Sequence, residues 1–311
     1  MTKEPSPLDQ LAAVEALQSP TIDALLPYVR AGDPLVVTTA LRRLNDVAPA
    51  PHAELEKTLL SFATDAEDSV RALSAQTVLR FLPEERAVPV LINYCSFKNS
   101  DVKLSALHLL YNALDTLAPE SIVKIIEQLC RRVSDSEWRV RHVVQLFIPA
   151  VVALFGDCFL PKLQQLVKIG LLDNAQEVRK QAIKTLAELV GLNGQDWGKE
   201  VALPLIINLY THPNYKIRQS SLEAMVEVGV ILGKDTITSA ILPMMLNSAF
   251  DLVSNVRFAF IQNLSLLLRK DVVDQNVVVG RVLPALVMLL KDVDQDVAAF
   301  SKRLVSEINP E

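Results

Sequence analysis

Two short stretches place aromatic and charged side chains directly before helical patterns, where they suit the binding of a partner. DSEWRVRHVV at residues 135 to 144 contains Trp138 and Arg139, and HPNYKIRQSSL at 212 to 222 contains Tyr215. Tryptophan, tyrosine and arginine are the residue types that most often anchor protein interfaces. The alternative for Trp138 is that its indole only covers the adjacent turn. The residue types indicate binding rather than catalysis.

The sequence lacks the spacing patterns of common catalytic and cofactor sites. It contains no Gly-x-Gly-x-x-Gly, no Gly-x-x-x-x-Gly-Lys, no His-Glu-x-x-His and no Cys-x-x-Cys. The four histidines are scattered, and none stands four residues from another histidine: His52, His108, His142 and His212. We therefore expect no catalytic residue, no metal, no cofactor and no small-molecule substrate. An enzyme is the least favoured alternative.

Composition predicts an all-α protein without a nucleic-acid partner. Half of the 311 residues are apolar, only 5% are aromatic and there are 9 glycines, which favours helices over strands joined by tight turns. The chain carries 31 basic and 36 acidic residues, a formal net charge of −5. Such a balance gives no overall basic field to attract a phosphate backbone.

Cysteine usage and the apolar stretches predict a protein of the cytoplasm, with the nucleus as a second location. Cys95, Cys130 and Cys158 are odd in number, lie far apart, and stand in apolar helical patterns typical of buried free thiols. The most apolar stretch, residues 143 to 156, is shorter than the roughly 20 residues that cross a bilayer. We expect it to be a buried helix, and we expect no membrane partner.

A repeating unit organises the chain. A signature of the form Asp, four residues, Val, basic residue precedes an apolar-periodic helix in DAEDSVRALSA, DSEWRVRHVVQ, DNAQEVRKQAI and DLVSNVRFAFI, and four further stretches vary it. The intervals between successive anchors are 34, 32, 38, 38, 39, 39 and 41 residues, which is the length of a helix pair. The anchors of the eight copies are Val36, Val70, Val102, Val140, Val178, Ile217, Val256 and Val297.

Each repeat is predicted to be two antiparallel helices, and stacked repeats are predicted to form an α-solenoid with a right-handed superhelical stack. The first helix carries a proline early, as in LLPYV with Pro27 and ALPLI with Pro204. A single pair leaves apolar surface that only stacking can bury. The predicted organisation is an N-terminal segment or cap helix at 1–20, irregular repeats 1 to 3 at 21–118, and regular repeats 4 to 8 at 119–311, one continuous solenoid.

The repeated acidic and basic residues are predicted to be structural. An aspartate before the second helix can accept from the free amides of its first turn, as we expect of Asp65 and of the later copies. The basic residue after the anchor is expected to pair with the turn of the preceding repeat, where an exposed pair contributes about 0 to 1 kcal/mol. The predicted ladder comprises Arg71, Asp135, Arg141, Asp173, Arg179, Arg218, Asp251, Arg257 and Asp292.

Repeats 4 to 8 resemble a known family. SEWRVRHVV, DNAQEVRKQAI, HPNYKIRQSSL, DLVSNVRF and DVDQDVAAFS, together with the linking segments FGDCFLPKL and GKDTITSAILPMML, are similar to the HEAT-repeat scaffold subunit (A, or 65-kDa regulatory subunit) of protein phosphatase 2A. The resemblance covers roughly residues 119 to 308, in the order of that family's last five repeats. The front three repeats resemble the family only generically.

The resemblance implies a non-catalytic scaffold. In that family the turns within the C-terminal repeats grip the phosphatase catalytic subunit, and the N-terminal repeats hold a variable regulatory subunit. The resemblance assigns these turn residues to protein binding: Trp138, Arg139, Gln176, Tyr215, Val253, Asn255 and Gln295.

Two departures from the family pattern keep a second hypothesis open. Gln176 stands where the family tends to have an aromatic residue, and repeat 8 reads Val297 to Phe300 where a basic-aromatic pair is usual. The chain also has eight repeats where the family has fifteen. The alternative is a general HEAT-repeat adaptor for complex assembly or transport, without a phosphatase partner.

Overall fold

The computed structural model describes residues 5–65 and 67–308, and every regular element in that part of the chain is helical. Residues 1–4 of the predicted N-terminal segment and the side chain of Asp65 lie outside the described part. By its contacts the chain divides into two compact units, Met1–Val144 and Gln145–Glu311. The division falls inside helix α9 (Trp138–Phe155). The predicted boundary at residue 119, between irregular and regular repeats, was drawn from repeat lengths and is a different division from this one. It stays a prediction.

Unit 1 contains a cap helix followed by helix pairs. Ser6 caps the first helix reciprocally with Asp9, since its hydroxyl accepts from the Asp9 amide while the Asp9 carboxylate accepts from the Ser6 amide. The pairs α2/α3, α4/α5 and α6/α7 are repeats 1 to 3, and α8 opens repeat 4. The helices are α1 Pro7–Ala16, α2 Ile22–Val29, α3 Pro34–Leu44, α4 Ala53–Asp65, α5 Asp68–Phe81, α6 Glu84–Tyr94, α7 Ser100–Asn112 and α8 Pro119–Arg132.

Unit 2 contains repeats 5 to 8, whose second helices are α11, α13, α16 and α19. Several first helices are built of consecutive α and π segments. The α-helices are α10 Leu160–Leu171, α11 Gln176–Trp197, α12 Leu203–Tyr210, α13 Tyr215–Leu232, α14 Lys234–Thr236, α15 Leu242–Asn247, α16 Ser254–Leu268, α17 Gln275–Val277, α18 Leu283–Leu289 and α19 Gln295–Ile308. The other helical segments are 3-10 at Gly156–Phe159 and Ser248–Phe250, and π at Gly198–Ala202, Ile237–Ile241 and Val278–Val282.

The core of each unit is formed by the stacked second helices and the first helices packed against them. In unit 1, α5 packs between α3 and α7, and in unit 2, α13 packs between α11 and α16 while α16 contacts α19. All eight predicted anchors are buried. The apolar stripe of α16, formed by Val256, Phe260, Leu264 and Leu267, is buried as well. The period read from the sequence therefore marks the core of each repeat.

The prolines of repeats 6 to 8 are the second residues of α12, α15 and α18, as predicted, and each lies directly after a π segment. Pro204 follows the π segment Gly198–Ala202, and Pro243 and Pro284 follow the other two π segments in the same way. A proline ring inside an α-helix clashes with the carbonyl four residues earlier. The wider π turn, closed by a hydrogen bond from the Leu203 amide to the Gly198 carbonyl, moves that carbonyl away.

Glycine kinks α11 at residue 194 and ends α13, the second helix of repeat 6, at residue 233. Gly194 (φ 88°, ψ 173°) and Gly233 (φ 87°, ψ 170°) adopt a region of backbone space essentially restricted to glycine. The Gly233 amide still donates to the Gly229 carbonyl, so it closes the helix before the chain turns. These two positions set where the next repeat begins.

One helical stretch of the described residues, Trp138–Leu171, is long and apolar enough to cross a membrane by length and composition alone. Half of its most apolar window is buried, which is also typical of the core helix of a soluble protein. Gly156 (φ 69°) interrupts it. The predicted buried helix agrees with Phe147, Ile148 and Val151, which are fully buried.

The three cysteines are free thiols, but they are not all buried as the sequence predicts. Cys95 is fully buried, and burial raises the pKa of its thiol to about 12. Cys130 is half-buried. The prediction is wrong for Cys158, which is exposed because it lies in the 3-10 turn Gly156–Phe159 rather than inside a helix.

Candidate functional site

The predicted binding residues occupy equivalent places in their repeats, at the beginning of the second helix. In each case the side chain stands next to the turn that joins the two helices. Trp138, Gln176, Tyr215 and Gln295 are the first residues of α9, α11, α13 and α19, Arg139 and Asn255 are second residues, and Val253 caps α16. Their role in protein binding stays a prediction.

Trp138 forms a small aromatic and cationic cluster on the surface of unit 1. Its side chain is 36% exposed. The Arg139 guanidinium lies over the indole at 5.1 Å, and the His142 ring meets it edge-on with centroids 6.4 Å apart. The indole thus packs on its own helix yet keeps a face in solvent, which suits an interface anchor.

The predicted residues of unit 2 differ in exposure. Gln176, Asn255 and Gln295 are exposed, whereas Tyr215 is only half-buried. The Asn255 carbonyl accepts a hydrogen bond of 2.9 Å from Gln219 Nε2. This bond ties the start of α16 to α13 and fixes the position of the turn.

The basic residue after the anchor first binds the turn of its own repeat. Arg218 Nη1 donates to the carbonyls of His212 and Pro213 at 3.0 and 2.9 Å. Arg257 Nη1 donates to the Asp251 carbonyl at 2.8 Å. The same bond, to the carbonyl six residues earlier, is made by Arg141 to Asp135 and by Arg179 to Asp173. These guanidiniums satisfy carbonyls at the end of the first helix.

Arg218 and Arg257 bind an aspartate of the following repeat, which corrects the predicted direction. Arg218 donates through Nε and Nη2 to both carboxylate oxygens of Asp251, at 2.7 and 2.9 Å. Arg257 binds Asp292 in the same way, at 2.7 Å in each bond. The reason is geometric: Nη1 already binds the arginine's own turn, so the Nε and Nη2 edge of the planar group faces the next repeat.

Arg71 departs from this pattern. It pairs with Asp68 on its own helix, and its guanidinium lies over the Phe97 ring at 4.6 Å. The other Asp68 oxygen accepts from Asn99 Nδ2 at 2.7 Å. Between repeats 2 and 3, therefore, Asn99 from the turn of repeat 3 contacts the Asp68 carboxylate of repeat 2.

A lysine that the sequence analysis missed forms the most buried ion pair of the described residues. Lys103 Nζ donates to both oxygens of Asp135 at 3.0 and 2.9 Å, and the two residues are 7% and 8% exposed. Asp135 also accepts from the Glu137 amide at 3.0 Å, as predicted for a cap. The signal was present, because Lys103 follows the anchor Val102 as Arg141 follows Val140.

Exposed apolar side chains at the turns of unit 2 are the second feature that the sequence analysis missed. Leu252 is 97% exposed and Val293 is 95% exposed. Each directly follows a ladder aspartate, in a turn where it has no core to fill. With two further exposed residues at the ends of first helices they form a set that we term the apolar tips: Leu172, Phe250, Leu252 and Val293.

Acid is expected to weaken the two aspartate pairs of unit 2. Hydrogen bonds from Arg257 hold the pKa of Asp292 below its ordinary value of 3.8, and at Asp251 burial raises the pKa but the bonds from Arg218 outweigh it. A carboxylate whose pKa is lower in the folded than in the unfolded state stabilises the fold at pH values above the unfolded-state pKa. This stabilisation is lost as the pH falls through the folded-state pKa. The loss in unfolding free energy caused by Asp292→Asn should therefore shrink between pH 7 and about pH 3, measured by urea unfolding.

The exposed, unpaired Asp296 supplies the control for this experiment. Asp296→Asn should change the unfolding free energy little at either pH, since exposed groups contribute little. A pH-independent effect of Asp292→Asn would contradict the expectation.

No group of three or more residues that could hold a metal ion occurs among the described residues. A groove of unit 2 is lined by the second helices, with Gln219, Glu223 and Gln262 among its residues. The chemistry that the site offers is recognition by hydrogen bonds, charges and apolar contact.

Comparison with known proteins supports a helical-repeat fold of the HEAT type. The family model described as PIK3R4-like, middle domain, matches residues 157–291, which is less than half of the chain. No curated protein matches the sequence. These findings do not single out the phosphatase 2A scaffold to which the sequence motifs point.

Solved structures of karyopherins share the fold. Kap121p bound to the extreme C-terminus of the protein phosphatase Cdc14p is 13% identical, with 97% of this chain and 35% of that chain covered and a TM-score of 0.64. Kap121p bound to Pho4p is 14% identical over 98% and 36% of the two chains, at 0.65. Kap95p with RanGDP is 12% identical over 98% and 47%, at 0.58. The chain spans about a third of Kap121p, and the likeness establishes an all-α HEAT-repeat solenoid fold.

Proposed function

We propose that this chain is a non-catalytic adaptor that binds protein partners through the turns between the helices of its repeats. The observation that carries the proposal is the nearly complete exposure of Leu252 and Val293 at two consecutive turns. These side chains have no role in the core, and exposed apolar surface is what a protein partner buries on binding. The HEAT-repeat fold supports the same function.

The ladder holds these tips in place before a partner arrives. Arg257 connects two turns directly, because its Nη1 binds the Asp251 carbonyl and its Nη2 binds the Asp292 carboxylate at 2.7 Å. Leu252 and Val293 each follow one of these aspartates. A surface that is ordered in advance loses less conformational freedom on binding, which favours affinity.

The more specific candidate partner is a protein phosphatase 2A-like catalytic subunit. It is supported by the resemblance of residues 119 to 308 and by the partly exposed Trp138 with Arg139 stacked on it. A variable regulatory subunit is a further candidate from the same resemblance. On this proposal the protein works in the cytoplasm, with the nucleus as a second location.

Replacing the two most exposed apolar tips is expected to weaken partner binding. In the double variant Leu252→Ser/Val293→Ser, the loss of two exposed anchors should weaken binding by about 2 kcal/mol or more, or roughly 30-fold. The measurement is the dissociation constant for purified phosphatase 2A catalytic subunit, and for any partner identified by mass spectrometry of the purified native complex.

The control is Ile207→Ser/Val279→Ser, which removes two exposed apolar residues from first helices of the same unit. It should leave the affinity unchanged. If the purified native complex contains no phosphatase catalytic chain, and the tip variant no longer binds the partners that are found, the protein is a general adaptor and the phosphatase scaffold is rejected. Capture unaffected by the tip variant would reject the turn surface itself.

A further inference from the structure

The ladder of unit 2 lacks one carboxylate. Arg218 binds Asp251 and Arg257 binds Asp292, and each of these aspartates stands five residues before the anchor of its repeat. The residue at this place in repeat 6 is His212. Arg179, the ladder arginine of repeat 5, is therefore followed by a repeat without the aspartate.

His212 keeps the turn but supplies no negative charge. Its Nδ1 accepts from the Asn214 amide at 3.1 Å, just as Asp251 Oδ1 accepts from the Val253 amide at 2.9 Å. Accepting through Nδ1 requires the tautomer that is protonated on Nε2. The histidine thus replaces the aspartate in shape but leaves Arg179 without the carboxylate that the following turn supplies to Arg218 and Arg257.

Arg179 is a buried cation with one unused donor group. It is 5% exposed. Nη1 donates to the carbonyls of Asp173 and Asn174, and Nε donates to Ser220 Oγ at 2.9 Å. Nη2 has no hydrogen-bond partner among the described residues, and it is not sealed from solvent. Burial lowers the pKa of Arg179 despite the nearby Asp173 and Glu223. A buried guanidinium in this state favours an added carboxylate.

The arginine lies in the wall of an open groove. The groove has a volume of about 750 Å³ and is bounded by the second helices of repeats 5 to 8. Amide side chains line it, and they can both donate to and accept from a peptide main chain. The amides are Gln176, Gln219, Asn255, Gln262 and Asn263, and apolar contact is offered by Leu266 and Phe300.

The charges of the groove select the kind of ligand. Lys180, Lys216 and Arg269 line it together with Arg179, and Glu223 and Glu227, one turn apart on α13, are the carboxylates of its lining. Burial raises the pKa of Glu223. A segment that carries one carboxylate and, further along, one basic residue meets both sets of charges.

We propose that the groove binds an extended protein segment, and that an aspartate or glutamate side chain of this segment binds Arg179 in place of the missing ladder carboxylate. A basic residue of the same segment faces Glu223 and Glu227. Arg218 and Arg257 each bind a carboxylate through Nε and Nη2. At Arg179 the Nε group already donates to Ser220 Oγ, so the carboxylate of the ligand accepts from Nη2. The groove is a surface distinct from the apolar tips, so it stands or falls independently of the function proposed above.

The test uses the full chain and a fluorescent peptide, Gly-Ser-Glu-Gly-Ser-Lys-Gly-amide, in fluorescence anisotropy. Matched peptides carry glutamine or phosphoserine in place of the glutamate. The glutamate peptide should bind on the order of tenfold more tightly than the glutamine peptide, as expected for hydrogen bonds to a charged group. Equal affinities, no binding, or tighter binding of the phosphoserine peptide would overturn the proposal.

Two variants connect this preference to the missing carboxylate. Arg179→Gln should abolish the preference for glutamate, whereas Arg303→Gln, which removes an exposed arginine outside the groove, should not. His212→Asp supplies the carboxylate from within the chain, so it should stabilise the fold and abolish the preference. This second variant keeps the test decisive where Arg179→Gln fails to fold. An unchanged preference in folded His212→Asp would overturn the assignment.

Discussion

Replacing Asp135 with alanine should destabilise unit 1 by about 3 to 5 kcal/mol, the effect expected when one partner of a buried ion pair is removed. Lys103 would be left buried without its counter-ion, and the Glu137 amide would lose its acceptor. Burial raises the pKa of Asp135, but the bonds from Lys103 outweigh it and hold the pKa below its ordinary value. The carboxylate is thus charged at neutral pH. The measurement is urea unfolding, with hydrogen exchange to localise the effect to α7 and α8.

Two controls separate the pair from a general effect of mutation. Asp115→Ala removes an exposed aspartate of the same unit and should cost well below 1 kcal/mol. The double variant Lys103→Met/Asp135→Leu replaces the pair with apolar side chains and should recover much of the loss. A double variant as unstable as Asp135→Ala would contradict the importance of the unpaired charge.

Replacing Phe260 with alanine should destabilise unit 2 by about 3 to 5 kcal/mol. Phe260 is fully buried on α16, the helix that packs between α13 and α19. Its removal leaves a cavity whose lining loses contact with a ring. Urea unfolding gives the size of the effect, and hydrogen exchange should show faster exchange in α13 and α19, since each repeat is stabilised by its neighbours.

Phe258 on the same helix provides the comparison. It is half-buried and meets Phe300 with ring centroids 5.4 Å apart. Phe258→Ala should cost clearly less than Phe260→Ala, because part of its surface is already in water. Equal losses at the two positions would contradict the assignment of Phe260 to the core.

The fold was predictable because the repeat makes eight observations of one pattern. A single Val-Arg pair carries little information, but eight anchors at intervals of 32 to 41 residues define helix pairs. The anchors Val140 and Val178, for example, are fully buried as expected. The beginning of several second helices was also predictable, since an aspartate or asparagine stands shortly before it.

The contacts of the ladder were harder to predict because they depend on how repeats face each other. The sequence shows that Arg257 recurs with Asp251 and Asp292, but not which of the two carboxylates it binds. Only the three-dimensional position of Nη1 on the Asp251 carbonyl leaves the other edge for Asp292. Lys103 was missed because most repeats have arginine at the equivalent position, and the predicted ladder contains only arginines as its basic residues.

The apolar tips and the missing carboxylate partner of Arg179 could not be predicted, because a sequence does not show which side chains lack a neighbour in the fold. Leu252 and Val293 look like ordinary apolar residues until the turn is seen to leave them in solvent. The change from aspartate to His212 is visible when the repeats are compared, but its meaning requires the guanidinium of the preceding repeat.

The π segments connect the lengths of the repeats to their tolerance of insertions. A π turn closes over five residues where an α turn closes over four, so it absorbs one extra residue without moving the helix that comes after it. The three repeats that contain one, 6 to 8, are those whose anchors stand at intervals of 39, 39 and 41 residues, against 38 for repeat 5. A gene that gains a codon in this helix can thus keep Ile217 or Val256 in register, and the array can change in length while its core does not.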